Sequence, residues 1–407
     1  MDRKKGLGLA TGLVVILFLA STLFIGACGS AAAASSAQPK LKIGLLVCLT
    51  GWFSVYDTLE WDEAQVARDI INEKGGVAVG GQKYLIELVP EDCKSTVDGV
   101  VAAAKKLVYE DKVQYIAGPA AFFSAAAKGV TEPSKVLRAI AWCTNTPGEL
   151  DNTTPYTFLS HDATVEFGIM GSKYMKQAHP DVKSVDLLIP DDGTIKYLGP
   201  ILENIYKQQG LSLVNTVLYP NEGVNFGPIA ARLNSSKADA VMMQNGIVPN
   251  AAGILKALRE MGSNKPFAVL IGANAADMLA AAGKPAATQF FAIGMGGVEM
   301  PDMPPTLAEI QKRLLAKYGR DRSMHLQIVN SIFEFVQVIE KAKSIDTTKV
   351  RDTWEKLNTM DTPYGTASIG GLKTYGIKHA VSHRMPVQTV ENGQAKFVTW
   401  IDPGMVP

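Results

Sequence analysis

Side chains able to carry covalent chemistry are few in this chain, and their spacing is poor. Cys48, Cys93 and Cys143 are scattered, and no histidine stands at a Cys/His spacing, so a thiol nucleophile lacks its base. His379 and His383 are four residues apart, as one helix face would need to offer both to a metal. No Cys or acidic third ligand is spaced with them. There is no Gly-x-Ser-x-Gly elbow, no phosphate loop of the Gly-Lys-Ser/Thr kind, and no Gly-x-Gly-x-x-Gly after the first strand. Glu91-Asp92 and Asp191-Asp192 fall in loops, where short acids ordinarily hold turns; ligand or ion contact is the alternative. Gly294-Met295-Gly296-Gly297 reads as flexible backbone rather than a phosphate cradle. What the chain does place on predicted loops is rings: Trp52, Phe53, Tyr56, Phe122, Phe123, Trp142 and Tyr197. Together they could wall a site for an aromatic or otherwise flat organic solute. Taken singly, Phe122 and Phe123 would serve equally to pack a core, and Trp52 or Trp142 a core or a rim.

The elements that would position these rings alternate. Leu41–Leu49 reads as a buried strand, and Leu59–Glu73 carries Ala64, Ala67, Ile70 and Ile71 at helical spacing. Strands at 84–89, 114–117 and 139–142 and helices at 97–109 and 124–130 continue the rhythm. It recurs with strands at 184–189, 211–218, 238–243, 267–271 and 290–293, separated by helices at 195–209, 228–234, 251–261 and 277–282, and a helix at 165–177 leads into it. Alternation of this kind implies α/β architecture, with parallel sheets covered by helices on both faces. From 306 to 357 the pattern is helical, and Met385–Trp400 reads as a hairpin turning at Glu391-Asn392-Gly393. Open parallel sheets bind ligands beyond the carboxyl ends of their strands, and a cleft between two units is a common small-molecule site.

The chain has 407 residues, a formal charge of +1, 47% apolar and 19% charged side chains. Such balance fits neither a phosphate-neutralising nucleic-acid binder nor a disordered chain, and the length suggests two domains. The N-terminus stands apart. Arg3, Lys4 and Lys5 precede an uncharged, strongly apolar run that ends at Ile25-Gly26-Ala27-Cys28, the pattern of an export signal; an uncleaved membrane anchor is the alternative. The last four residues resemble the lipobox of bacterial lipoproteins, which implies lipidation of Cys28. Residues 1–28 would then be signal and lipobox, and 29–40 an Ala/Ser-rich tether. Removing residues 1–27 deletes three bases and one acid, leaving 37 and 38 and a formal charge of −1.

Further motifs occur in order along the body. They are Leu49-Thr50-Gly51, Asn72-Glu73-Lys74-Gly75-Gly76-Val77, Glu91-Asp92-Cys93, Gly118-Pro119, Thr144-Asn145, Asp162, Asp239-Ala240-Val241, Leu258-Arg259-Glu260-Met261-Gly262 and Pro363-Tyr364-Gly365. Over roughly 41 to 400 the chain thereby resembles the solute-binding proteins of branched-chain amino-acid (leucine/isoleucine/valine) ABC transporters, of the type I periplasmic-binding fold. The resemblance implies two doubly wound parallel-sheet lobes joined by a three-strand hinge. Lobe 1 would be 41–160 plus 295–360 and lobe 2 161–294 plus 361–407, with crossings near His161, Ala292 and Asp361. It implies an exported, lipid-anchored protein, periplasmic or at the cell surface, that captures a small organic solute between its lobes and hands it to permease subunits. Catalysis, a cofactor, a metal and a nucleic-acid partner are not expected. A sensing clamp of the same fold that reports to a receptor or regulator is the alternative; an exported hydrolase would need a nucleophile constellation that is not found.

The resemblance also nominates residues. The family's carboxylate-gripping serine falls near Phe122, so a ring replaces that hydroxyl, and Ser124 is expected to cap its helix. Thr144 matches the family's ligand-binding threonine, Tyr197 its lobe 2 tyrosine, Asn245-Gly246-Ile247 a later loop, and Asn274 the acid that pairs with the ligand's ammonium. Without that acid and serine an ordinary α-amino acid is disfavoured, and an aromatic or carboxylate compound is expected, held by Thr144 and backbone amides. The expected ligand-binding set is Trp52, Phe53, Tyr56, Phe122, Phe123, Trp142, Thr144, Tyr197, Ile247 and Asn274. The family's disulfide would join the position of Cys93 to one near Ala121, which has no thiol; a substitute bridge between Cys48 and Cys93 is left open.

Overall fold

The computed structural model describes residues 38–141, 143–319 and 324–406. The strands are β1 (Lys40–Val47), β2 (Val77–Val79), β3 (Gln82–Asp92), β4 (Tyr115–Ala117), β5 (Leu137–Ile140), β6 (Thr157–Leu159), β7 (Ser184–Pro190), β8 (Ser212–Tyr219), β9 (Ala240–Met243), β10 (Phe267–Val269), β11 (Phe290–Ile293), β12 (Thr359–Thr362), β13 (Gly365–Gly370), β14 (Ala380–Ser382), β15 (Met385–Glu391) and β16 (Gln394–Ile401). They form a nine-stranded sheet in the order β12-β13-β14-β6-β5-β4-β1-β3-β2 and a seven-stranded sheet in the order β16-β15-β11-β10-β9-β7-β8. The centre of each sheet is parallel and its strands are buried along their length, as helices on both faces require. Antiparallel pairs sit at the edges: β2 on β3, β12 to β14, and the β15–β16 hairpin. That hairpin turns on Asn392 (φ 54°) and Gly393 (φ 72°), the left-handed pair that a two-residue turn needs.

The helix Ser54–Glu73 buries Ala64, Ala67, Ile70 and Ile71, the stripe the spacing predicts. It stops at Gly75 and Gly76. A Cβ on Gly76 would stand 2.1 Å from the Tyr84 carbonyl oxygen, so only glycine lets the chain turn into β2 there.

The chain passes between the sheets three times. It leaves β6 through Ser160–Ala163 and the helix Thr164–Ala178, returns after β11 through the helices Pro305–Tyr318, Gln327–Ala342 and Thr347–Trp354, and leaves β14 for β15 with only His383 and Arg384 between. The third crossing is a correction to the expected boundary near Asp361. Residues 359–382 pair inside the first sheet, with Ala380 of β14 beside Leu159 of β6. Strands of three to six residues rich in Gly, Ser and Thr carry no period long enough to read.

Candidate ligand-binding site

The loops at the carboxyl ends of both sheets converge on one cavity of about 900 Å³, part of it open to solvent. From the first sheet come Trp52, Phe53 and Tyr56, which follow β1, and Thr144, which follows β5. Met324, His325 and Gln327 join them at the start of the helix Gln327–Ala342. From the second come Asp192 after β7, Asn221 after β8, Asn245–Ile247 after β9, and Ile271–Asn274 with Asp277 after β10. Near the crossings stand His161, Phe167, Met295 and Met385.

The aromatic wall is held by its backbone. Asp92, closing β3, accepts the Leu49 and Thr50 N–H groups at 2.9 and 3.2 Å and the Thr50 hydroxyl at 2.7 Å. The Ser95 hydroxyl accepts the Phe53 N–H at 3.1 Å and donates to the Thr50 carbonyl at 2.7 Å. Gly51 turns between them at φ 84°, where a Cβ would meet the Ser95 side chain at 2.6 Å. The rings then pack in sequence: Trp52 and Phe53 edge-to-face at 5.3 Å, Phe53 and Tyr56 at 5.2 Å, Tyr56 and His325 edge-to-face at 5.0 Å. Burial raises the Tyr56 phenol far above its ordinary range, so it stays protonated, and its hydroxyl donates across the cleft to the Gly272 carbonyl at 3.5 Å.

The opposite wall is polar and acidic. Asp192 accepts the Thr194 N–H and hydroxyl through one oxygen, at 3.0 and 2.6 Å. Asn274 caps the helix Ala275–Ala282, accepting the Asp277 N–H at 2.9 Å and donating to the Asp277 carboxylate at 2.8 Å and the Met295 carbonyl at 3.2 Å. The two carboxylates, both half-buried, therefore sit at the cavity, Asp192 on a short turn and Asp277 in the first turn of its helix. Burial, and then the neighbouring His383, hold the His161 imidazole well below its ordinary range and hence neutral. Thr144 is turned to other work: its hydroxyl donates to buried Glu149 at 2.9 Å. Glu149 also accepts the Thr144 and Thr146 N–H groups at 3.3 and 2.6 Å. With that proton committed, Thr144 offers the cavity a methyl and an acceptor.

Residues 40–395 match the family model described as periplasmic binding protein. The chain belongs to the periplasmic binding protein family. Among curated relatives, the Leu/Ile/Val-binding protein BraC3 of Rhizobium johnstonii is 28% identical over 276 residues, 65% of this chain and 67% of that protein. Among solved structures, the leucine binding protein LivK from Thermotoga maritima superposes with a TM-score of 0.71 at 20% identity, over 89% of this chain and 99% of that one. A solute binding protein of an ABC transporter from Rhodopseudomonas palustris, in complex with 3,4-dihydroxybenzoic acid, gives a TM-score of 0.68 at 18% identity, over 89% and 98%. At those identities the structures share the two-lobed fold, and they carry no more than that.

In this periplasmic binding protein, Trp52, Phe53, Tyr56, Thr144, Ile247 and Asn274 line this cavity. Phe123 does not: it is 2% exposed and packs behind the wall, 6.1 Å from Trp52 and 5.7 Å from Phe53. Tyr197 stands outside it in the first turn of the helix Ile195–Gln208, 38% exposed, with Lys196 Nζ 4.9 Å from its ring centroid. The side chain of Phe122, the whole of Trp142, and Cys28 with its signal lie outside the described residues. Ser124 is no cap; it is buried and accepts from Arg138 at 3.2 Å, while Ala120 precedes its helical turn. His379 and His383 are drawn apart, His379 to Thr157 and Glu355 at 2.8 and 3.0 Å, His383 to Asn330 at 2.7 Å.

The lining residues not foreseen in this binding protein are chiefly Asp277, Asn221, His161, His325 and Gln327, while Asp192 had ligand contact only as its alternative reading and Asn245 was named only with its loop. Asp192, Asn221 and Asn245 follow strand ends, a signal that the strand-end rule already contained. His325 and Gln327 arrive from a helix start, which no strand pattern marks.

Proposed function

We propose that this protein is the solute-binding component of an ABC importer. On this reading it works outside the cytoplasm on a lipid tether at Cys28, performs no covalent chemistry, and presents its closed form to membrane permease subunits. The solute is a small organic molecule with a flat or apolar body and an amine-bearing end. Its body lies on Trp52, Phe53 and Tyr56, and its ammonium faces Asp192 and Asp277. Binding biases the lobes toward closure because only the closed form contacts the solute from both sides.

The observation that carries this reading is the pairing across one cavity of an aromatic wall from the first sheet with two aspartates from the second. Asn274 occupies the place expected for an acid, and Asp277 returns a carboxylate one helical turn later. That arrangement favours a cation or zwitterion over the aromatic or carboxylate compound expected from the sequence. The relatives named for leucine and for a dihydroxybenzoate agree on a small organic solute and differ on its charge.

A thermal-shift panel separates the cases. Aryl- and alkylamines, branched-chain and aromatic amino acids, and benzoates are added to the purified protein. Amine-bearing compounds are expected to raise the melting temperature. A rise with benzoates alone would overturn the charge assignment, and no rise with any member would overturn the solute class.

A further inference from the structure

β1 and β3 are parallel partners whose pairing ends with Val47 beside Asp92. The next residue of each strand is a cysteine. The Cys93 N–H donates to the Val47 carbonyl at 2.8 Å, carrying the ladder one step further. Cys48 and Cys93 are fully buried, and the Cys48 N–H donates to the Asp57 carboxyl at 2.5 Å. Adjacent strand-end positions of this kind fall within the Cα separations that a disulfide spans. Cys143 is no competitor, because it follows β5, and β4 stands between β5 and β1.

We propose that Cys48 and Cys93 form a disulfide as the chain matures. This rests on the reading that the protein is exported to an oxidising compartment. The oxidant is a disulfide, that of an exchange protein or a small molecule such as oxidised glutathione. One cysteine, as thiolate, attacks it and expels one of its thiols; the thiolate of the other cysteine then displaces the second. Two electrons and two protons pass to the oxidant, which leaves as two thiols. Both sulfurs are sealed from solvent, so the exchange precedes the final seating of the helix Ser54–Glu73. The bond pins the turn that carries Trp52 and Phe53 to the Lys94-Ser95 turn, adding a covalent link where Asp92 and Ser95 already join the two by hydrogen bonds.

The test is alkylation of the full-length protein, with thiols trapped in denaturant at lysis, and peptide mapping with and without reductant. In one arm the protein comes from the extracytoplasmic fraction of its own cells. In the other the reduced chain refolds in a glutathione redox buffer. Cys143 is expected to alkylate directly in both. Cys48 and Cys93 should appear as one linked peptide pair, lighter by two hydrogens and released by reductant. Cys48→Ser should leave Cys93 alkylated, and the oxidised protein should melt several degrees above its reduced form. Free Cys48 and Cys93 in the refolding arm, or a bridge from either to Cys143, would overturn the proposal. A linked pair after refolding, with the protein missing from the extracytoplasmic fraction and found with free thiols in the cytoplasm, would overturn the export reading instead.

Discussion

The Asp162 carboxylate accepts the His383 backbone N–H at 3.0 Å and faces the same residue's Nδ1 at 3.5 Å. One residue lies in the first crossing between the sheets and the other in the third. Glu334 stands 3.8 Å from the far ring nitrogen, and Asn330 contacts it at 2.7 Å. His161, Glu166 and Tyr364 close the cluster, and all are buried. A charged network of this kind, desolvated at the segments that join the two sheets, fixes how the crossings sit.

The network sets a pH dependence of stability. Burial alone would lower the His383 imidazole, but Asp162 and Glu334 outweigh it and raise it to about 9. Folded, the ring holds its proton more tightly than in the unfolded chain. Its stabilisation is complete below the ordinary 6.5 and is lost as pH rises through 9. Glu334 and Glu166, raised by burial to about 8 from 4.5, also keep protons that the unfolded chain has released, so their contribution has the same sign. His161, held neutral, acts in the opposite sense, but only below its ordinary 6.5. Melting temperature should therefore fall from pH 6.5 to 9, and His383→Gln should flatten that profile. A rise over this window in the parent protein would contradict the assignment.

Asp192→Asn and Asp277→Asn each remove a carboxylate from the polar wall. For an amine-bearing solute each should weaken binding by about 10-fold or more, the scale of a hydrogen bond to a charged group. Titration calorimetry at two salt concentrations reads this. Equal affinity in the parent and both variants would show that the ammonium does not face this wall.

Trp52→Ala opens the aromatic wall and removes a half-buried ring that packs on Phe53 and Phe123. Binding should weaken about 10-fold, while stability falls by about 1 kcal/mol. Phe123→Ala, deep behind it, should show the reverse weighting. A cost of about 3 kcal/mol in denaturant unfolding is expected there, with a smaller loss of binding.

Glu149→Gln tests the hold of Glu149 on Thr144. The carboxylate accepts three donors out of contact with water. An amide in its place turns one acceptor into a donor facing donors, at a cost of about 2–3 kcal/mol in urea unfolding. If Thr144 served mainly to grip ligand, affinity would fall while stability stayed unchanged.

The parallel core was legible because its strands are unbroken apolar runs at regular intervals, as in Ile43–Val47 and Leu187–Pro190. The hairpin at Asn392-Gly393 was legible from its turn residues. The strands at 359–382 were not, since β14 spans three residues and draws its stability from pairing with β13 and β6 rather than from its own pattern. The same limit applied to the site. The rings that begin the first helix could be placed from strand-end logic, whereas Tyr197 and Phe123 depended on which way one helical turn faces. The engagement of Thr144 with Glu149 is local, five residues apart in the loop after β5, but a lone loop acid does not show which donors it gathers.

Native mass spectrometry of the protein purified from its own cells tests the central claim most directly. The account expects a bound small molecule, released on unfolding, that carries an amine and an apolar or aromatic body, and whose retention falls in both Trp52→Ala and Asp192→Asn. A retained solute that is a carboxylate without an amine, or one held equally by both variants, would contradict it.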